Sequence, residues 1–344
     1  MDKELRYGRV RIVESTPARV HVRWDYQSTD FNYKVWGDSA REDFYFYPDG
    51  FGTRVLTLQS STNADYELSE FIVLAPAKAY PLAFLPEPLV DLVFLDGTKR
   101  ELRFPSPQLG PERGLGVVYR VRLHREERAT AIYFHPRDTR LPPVVFGPFQ
   151  DQGQVVTPAY WGSHWPLSRG NTTGGAIDDR IEVAPSHNSL ISWARQRPPP
   201  LQTAVRETID ALGRPRTLRI ERWAWLIGMT DLPDAAVLEI ARSFAQPPGL
   251  KVEGARLSTD SYAVERRAVR LAVEEGTVEI RIQPSVPWVN PVFELENAPA
   301  LLRRIGLDGR ALSPREFGWD GRTLWLKVRV DRPADLRIEF TRIP

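Results

Sequence analysis

The chain has 344 residues, 42% of them hydrophobic, which is enough to bury a sizeable core in one large domain or in two. Its 46 basic and 44 acidic side chains leave a formal net charge of only +2, and this balance argues against a dedicated nucleic-acid-binding protein. The lack of cysteine excludes disulfides, cysteine-ligated zinc and thiol catalysis. No apolar run approaches the roughly 18 residues that a membrane-spanning helix needs.

The amino-terminal stretch MDKELRYGRV is charged and leads directly into a strand pattern. It lacks the basic n-region and the apolar h-region of a secretion signal. Two interpretations stay open: a cytoplasmic protein, or a secreted protein in which Met1 is an artificial start that replaced the signal. The function inferred below favours an extracellular or periplasmic location.

The first part of the chain is a succession of predicted strands separated by turn signals. In RVHVRWDY, Val20, Val22, Trp24 and Tyr26 alternate with polar residues, which is typical of a strand with one apolar face. The turn sequence PDGFG joins two further strand patterns into a predicted hairpin. These two strand patterns lie at 43–47 and 53–59, and the others lie at 67–74, 90–95, 99–104, 116–123 and 130–134.

One helix stands out. Residues 233–245, PDAAVLEIARSFA, carry apolar side chains at helical spacing, Asp231 is placed as the N-cap, and the QPPG that follows ends the helix. The apolar positions are Val237, Leu238, Ile240, Ala241 and Phe244.

Residues 250–344 return to strand alternation, and WDGR at 319–322 predicts a tight turn between two of their strands. We therefore predict an all-β protein. A large antiparallel β-sandwich over 1–249 is followed by a small carboxy-terminal β-domain over 250–344.

The segment 136–200 is rich in proline and glycine and shows weak periodicity. A loop of this length is unusual in a compact domain unless it carries function. Its part 158–193, PAYWGSHWPLSRGNTTGGAIDDRIEVAPSHNSLISW, concentrates imidazole, indole, guanidinium and amide groups. A sandwich core does not require that concentration, whereas a site for a polar, ring-shaped ligand could use all of these groups.

These residue types suit the removal of a proton next to a carboxylate, as in uronate elimination. The reaction needs a base, an acid on the leaving oxygen, and groups that neutralise the developing negative charge. His164 and His187 are candidate bases, and Tyr160 is the candidate acid. The candidates for neutralising the carboxylate are Asn188, Arg180 and Arg169. The remaining histidines, His21, His124 and His135, are weaker candidates.

Other roles stay open for the same region and its neighbours. A pair of carboxylates at suitable separation would make a glycosidase. The candidate carboxylates are Asp43, Glu70, Asp178 and Asp179. The tryptophans that could stack against sugar rings, or equally pack in the core, are Trp36, Trp161, Trp165 and Trp193.

The sequence predicts no cofactor and no metal site. It contains no HxH, HxxxH or HExxH spacing, and NTTGGAIDD lacks the lysine of a phosphate-binding loop. The GxSxG pattern of serine hydrolases is absent as well.

Several stretches together resemble a known group of proteins: RVHVRWDY, DFYFYPDGFGTR and ELSEFIVL, then SHWPLSRG, PSHNSLISW, WLIGMTD and ARSFAQPPGL. Over residues 8–250 they are similar to galactose-mutarotase-like β-supersandwich proteins of bacterial polysaccharide degradation, a fold found in several polysaccharide lyase families. The resemblance implies a carbohydrate-facing cleft on a concave sheet, with Tyr160, His164, His187 and Asn188 at the cleft. The chain has no amino-terminal helical toroid, which many such lyases carry, and this puts endolytic cleavage in doubt.

The sequence therefore predicts a carbohydrate-active enzyme, a polysaccharide lyase that cleaves uronate-containing glycans by β-elimination. The alternatives are a glycoside hydrolase with paired carboxylates and a non-catalytic glycan-binding module. The predicted partner is a polysaccharide or oligosaccharide, with no nucleic acid and no membrane span. The sequence does not set the glycan, the linkage or the oligomeric state.

Overall fold

The computed structural model describes residues 7–29, 35–60, 70–75, 86, 88, 90–102, 116–123, 128–136, 144–145, 186–192, 200–209, 212–299 and 301–341. For residues 28–29, 36, 70–75, 102, 144–145 and 186–192 the description is of the backbone. This part of the chain is mostly β-strand with one α-helix, which confirms the predicted all-β class.

The strands are, in chain order, β1 Gly8–Ser15, β2 Val20–Thr29, β3 Val35–Phe46, β4 Phe51–Ser60, β5 Glu70–Ala75, β6 Val90–Phe94, β7 Lys99–Leu102, β8 Val117–Arg122, β9 Thr130–Phe134, β10 Val144–Val145, β11 Ser186–Ser192, β12 Gln202–Ile209, β13 Pro215–Thr230, β14 Gly249–Glu253, β15 Ala255–Ala263, β16 Ala268–Val273, β17 Thr277–Gln283, β18 Trp288–Val289, β19 Val292–Glu296, β20 Leu301–Leu307, β21 Arg310–Ala311, β22 Phe317–Trp319, β23 Thr323–Leu326, β24 Arg329–Val330 and β25 Ala334–Thr341. The α-helix, α1, spans Asp234–Ala245, and a 3₁₀ turn, η1, spans Val264–Arg266.

Ten strands form a large antiparallel sheet. Its order is β1-β2-β3-β4-β13-β9-β8-β6-β7, and β12 pairs with β13 beside this path. The predicted hairpin around PDGFG is confirmed as β3–β4, with Tyr45 opposite Thr53 and Gly50 at a φ of 80° in the turn. Because side chains alternate along a strand, β2 and β3 give this sheet two chemically different faces.

The strands β10, β11 and β5 form a small antiparallel sheet in the order β10-β11-β5. Two of them, β10 and β11, lie in the segment 136–200, which was predicted to be a long loop without regular structure. That prediction is wrong for these strands. The short β-branched run of β10 and the SLIS of β11 are too brief to show periodicity in a proline-rich background.

The helix α1 lies where the sequence predicts it, and its predicted apolar residues are buried. They pack against the large sheet beside Phe134 and Leu226. The predicted N-cap, Asp231, is wrong. The N-cap is Pro233, which makes no side-chain capping hydrogen bond, and Asp231 precedes it by two residues. The ring of Pro233 fixes φ at −66°, which is compatible with helix entry.

The carboxy-terminal strands form two five-stranded sheets, β14-β17-β25-β20-β21 and β15-β16-β19-β23-β22, and a short pair, β18-β24. One apolar cluster fills the space between the sheets, with Leu271, Ile280, Phe293 and Ile338 among its most buried members. WDGR forms the predicted turn between β22 and β23, with Gly321 at a φ of 96°. Among the described residues, no helix has the length and apolarity to cross a lipid bilayer.

No described strand pairing crosses residue 249, but side-chain packing does. Tyr45, Tyr47 and Val55 of the large sheet share one buried cluster with Val292 and Trp325. The division at 249/250 therefore stays a prediction, because pairing and packing give different boundaries.

Gly318 marks the closest approach across this junction. A Cβ atom on Gly318 would lie 2.5 Å from the carbonyl oxygen of Pro17 and 3.0 Å from Cα of Ala18. Both neighbours are backbone atoms, so a side chain at this position has to push the β1–β2 connection away.

We expect Gly318→Ala to lower the free energy of unfolding by about 1–3 kcal/mol, because the added methyl group overpacks the junction. Denaturant unfolding measures the change. Gly306→Ala is the matched control, since the nearest atom to its Cβ would be the Arg310 carbonyl oxygen at an ordinary 3.6 Å. Equal stability of the two variants would contradict the tight contact.

Candidate functional site

Most of the site predicted from the sequence lies outside the described residues. These positions stay predictions: Tyr160, Trp161, His164, Trp165, Arg169, Asp178, Asp179, Arg180 and Trp193. The same holds for His124, and for the side chain of Trp36.

The backbone places three other candidates in the small sheet. His187 and Asn188 are consecutive residues of β11, opposite Leu74 and Val73 of β5. Consecutive strand positions belong to opposite faces of a sheet, so these two residues do not share a face. Glu70 pairs with Ser192, and His187 pairs with Leu74. Because Glu70 and Leu74 are four residues apart along β5, Glu70 lies about 13 Å along the strand from the His187 position.

Asp43 is the predicted candidate whose surroundings are described, and it lies at the centre of a buried polar cluster. Its Oδ1 atom is 2.7 Å from Nε2 of His21 and accepts a hydrogen bond from Nε of Arg23 at 2.6 Å. The register explains the cluster, because β2 and β3 pair Arg23 with Asp43 and His21 with Tyr45. Burial alone would raise the pKa of Asp43, but the hydrogen bonds from His21 and Arg23 outweigh it and lower the pKa.

The ionised Asp43 fixes which nitrogen of the His21 ring donates to it. A carboxylate can only accept hydrogen bonds, so the proton in this contact lies on Nε2. Nδ1 makes no hydrogen bond to a described residue. It is also not one of the fully buried polar atoms that lack a hydrogen-bond partner. Nδ1 is therefore the ring nitrogen left for a further hydrogen bond, on a side chain that is only 7% exposed.

The Tyr45 ring stacks on His21, with ring centroids 4.3 Å apart and an angle of 24° between the planes. Burial raises the pKa of the Tyr45 hydroxyl, and the charge of Asp43 raises it further, against the opposing effect of Arg266, Arg19 and Arg222. Tyr45 is thus a protonated phenol at neutral pH. Its hydroxyl also has no described hydrogen-bond partner, so it is available as a proton donor.

Arg222 is the cation beside Tyr45 that has hydrogen-bonding capacity left. Its guanidinium makes no hydrogen bond to a described residue, and its closest carboxylate oxygen, on Glu265, is 3.7 Å away. Nε of Arg222 is buried without a partner. Since a guanidinium has five N–H donors suited to a carboxylate, Arg222 can bind an anionic ligand group.

Arg266 comes from η1, so the carboxy-terminal part of the chain contributes to the same cluster. Its Nε donates to both carboxylate oxygens of Glu294, at 2.8 and 3.0 Å. Glu294 also accepts a 2.6 Å hydrogen bond from Nη1 of Arg19, which in turn binds Glu14. Burial alone would raise the pKa of Glu294, but Arg266 and Arg19 outweigh it and lower the pKa.

The opposite face of the same strands carries a second buried polar group. Glu42 accepts hydrogen bonds from the Tyr26 hydroxyl at 2.9 Å and from Nε of Arg54 at 2.5 Å. The Arg54 guanidinium lies over the ring of Trp225, 5.3 Å from its centroid. Each oxygen of Glu42 has a partner, so this group is a structural ion pair within the core.

A cavity of about 680 Å³ lies on the outer face of the sheet β14-β17-β25-β20-β21. Two pairs of charged side chains in its lining bind each other, Arg281 with Asp335 at 2.7 Å and Arg337 with Glu279 at 2.9 Å. Its lining includes neither histidine nor tyrosine. The junction cluster, which consists of His21, Asp43, Tyr45, Arg222 and Arg266, is the stronger candidate because it contains groups that can exchange protons.

Within the described residues, no group of three or more histidine and acidic side chains is arranged to hold a metal ion. No protein-family model matches the sequence, and no curated protein matches it either. The resemblance to galactose-mutarotase-like proteins therefore stays a prediction.

Sequence reasoning ranked His21 only among the weaker candidates and missed Tyr45 and Arg222. The alternation of RVHVRWDY places His21 and Arg23 on the polar face of β2, and the facing strand supplies Asp43 and Tyr45. The strand pattern therefore showed which residues lie on the polar faces of β2 and β3. It did not show which of these residues lie opposite each other, because the pairing register depends on the connection between β2 and β3.

We expect Asp43→Asn to destabilise the protein at pH 6, by about 1–3 kcal/mol, because the buried His21 and the partly buried Arg23 lose their ionised partner. The stabilisation by Asp43 is fully present above the ordinary carboxyl value of 3.8 and is lost as pH falls through the lowered pKa of the folded state. The difference between variant and wild type should therefore shrink below pH 3.8. Denaturant unfolding at pH 6 and at about pH 3 measures it, and a difference independent of pH would contradict the argument.

Proposed function

We propose that the protein is a carbohydrate-active enzyme that cleaves uronate-containing glycans by β-elimination. The observation that carries the proposal is the His21–Asp43 pair, with the Tyr45 ring stacked on His21 and Arg222, whose Nε lacks a partner, acting on Tyr45 electrostatically. A base, an acid and a carboxylate-binding cation are the three groups that this reaction requires. The reaction is the one predicted from the sequence, with different residues in the roles.

In the proposed reaction, Nδ1 of His21 removes the proton from the ring carbon next to the uronate carboxylate. The electron pair of that C–H bond forms a double bond to the neighbouring carbon, whose bond to the glycosidic oxygen breaks. The Tyr45 hydroxyl gives its proton to this oxygen. One new chain end then carries a hydroxyl group and the other an unsaturated uronate, and exchange with solvent restores both residues.

The charge that develops on the uronate carboxylate needs a cation. Arg222 is suited to this role, because its donors are not used by any described residue and it acts on Tyr45 electrostatically. Asp43 would act through His21 by holding the ring and stabilising its charged form after proton transfer. Such glycans are met outside the cytoplasm, which is the basis for proposing an extracellular or periplasmic location.

Hydrolysis by two carboxylates has weaker support. A glycosidase needs one carboxylic acid with a raised pKa to protonate the leaving group. Each described carboxyl group with a shifted pKa is shifted downward, including Asp43, Glu294 and Asp234. These groups are held ionised as partners of arginine and histidine. A glycan-binding module would use the same cations without turnover.

We expect an ultraviolet time course with uronate polysaccharides to show rising absorbance together with rising reducing ends, because elimination creates a double bond at each cut. His21→Gln and Tyr45→Phe should each lower kcat by about 10²–10⁴-fold, since each removes a proton-transfer group. Arg222→Lys should mainly raise KM, because it keeps the charge but loses the bidentate contact.

His164→Ala and His187→Ala are the matched tests of the residues predicted from sequence. Full activity in both, with activity lost in His21→Gln, assigns the base to His21. The reverse result moves the base to the segment 158–193 and overturns this site. Reducing ends without absorbance would indicate hydrolysis, and binding without new chain ends would indicate a glycan-binding module.

A further inference from the structure

The turn that carries Glu265 and Arg266 has an unusual backbone. It begins with η1 and ends at Arg267, whose φ of 50° lies in the left-handed region. The Arg267 amide donates to the carbonyl of Val264 at 3.2 Å. A residue other than glycine in this conformation costs free energy, of order 1 kcal/mol, and persists where its surroundings hold it.

One set of contacts holds the Arg267 side chain. Nη2 of Arg267 donates to Oδ2 of Asp49 at 2.6 Å and to the carbonyl of Asn290 at 3.0 Å. Nδ2 of Asn290 donates to the same Asp49 oxygen at 3.0 Å, and the guanidinium lies 5.2 Å from the centroid of the Tyr47 ring. This buried group anchors the end of the turn to the β3–β4 connection.

Two hydroxyl groups of the large sheet hold the backbone of the turn itself. Thr53 Oγ1 donates to the carbonyl of Glu265 at 2.6 Å, and the Tyr47 hydroxyl donates to the carbonyl of Arg266. Thr53 lies opposite Tyr45 in the β3–β4 pairing, and Tyr47 follows Tyr45 by two residues. The hairpin that carries Asp43 and Tyr45 therefore also binds the two peptide carbonyls on either side of the Arg266 Cα atom.

We infer that Tyr47 and Thr53 are positioning residues, which fix the turn 264–267 so that Glu265 and Arg266 stand beside His21, Tyr45 and Arg222. Glu265 then places a carboxylate oxygen 3.7 Å from Nη1 of Arg222, and Arg266 keeps a positive charge near the Tyr45 hydroxyl. The meaning of this arrangement for catalysis rests on the proposed function, whereas the positioning itself rests on the contacts. The site is then complete only when both parts of the chain are joined.

Thr53→Val removes the hydroxyl that grips the turn and keeps the shape of the side chain. Thr323→Val is a matched control, because Thr323 is also fully buried but its hydroxyl has no partner. Thr53→Ser keeps the hydroxyl and serves as the rescue. The readouts are backbone hydrogen exchange of residues 264–267, followed by mass spectrometry, and the Kd for trigalacturonate from calorimetry.

We expect Thr53→Val to speed exchange in the turn roughly five- to tenfold and to weaken trigalacturonate binding by a similar factor. Thr53→Ser and Thr323→Val should match the wild type in both measurements. Unchanged exchange in Thr53→Val, or an equal change in Thr323→Val, would overturn the positioning role. So would faster exchange with unchanged binding.

The two proposals fail separately. If wild-type protein does not bind trigalacturonate, the uronate part of the proposed function fails. The exchange data then decide the inference alone. Faster hydrogen exchange of residues 264–267 in Thr53→Val, with the wild-type rate restored in Thr53→Ser, supports the positioning role. The lack of that difference refutes the positioning role.

Discussion

The buried carboxylate of Glu294 is the constraint on which the junction depends. It lies between Arg19, just before β2, and Arg266, in the turn that follows β15, at 2.6 and 2.8 Å. Loss of one partner from such a pair leaves an uncompensated buried charge and costs about 3–5 kcal/mol. The position of the second β unit relative to the large sheet is therefore fixed by charge pairing as well as by apolar contact.

The β3–β4 hairpin links this junction to the candidate site. Its face towards the junction carries Asp43, Tyr45 and Thr53, while its other face carries Glu42 and Arg54 in the core. The same alternation that defines a strand thus separates the closed Glu42–Arg54 ion pair from the His21–Asp43 pair, in which Nδ1 of His21 has no described hydrogen-bond partner. Both faces contain buried charge, and on the junction face Nε of Arg222 is buried without a hydrogen-bond partner.

The sequence predicted what local patterns control. Alternation identified β2 and the β3–β4 hairpin, and helical spacing identified the buried face of α1, because both periods are read within one element. The junction cluster joins His21, Asp43, Arg222 and Arg266, which are far apart in the chain and meet through strand register and packing. Composition drew attention instead to 158–193, where polar and aromatic residues are adjacent in sequence.

The contact of Gly318 with Pro17 has a consequence for how a ligand enters. Two backbones that touch without an intervening side chain leave no slack for a hinge, so rocking of one β unit against the other would force them together or break the Glu294 pairs. A ligand of the proposed site would then have to enter past side chains, and Arg23 and Arg222, each about a quarter exposed, are the least buried of the charged side chains named there.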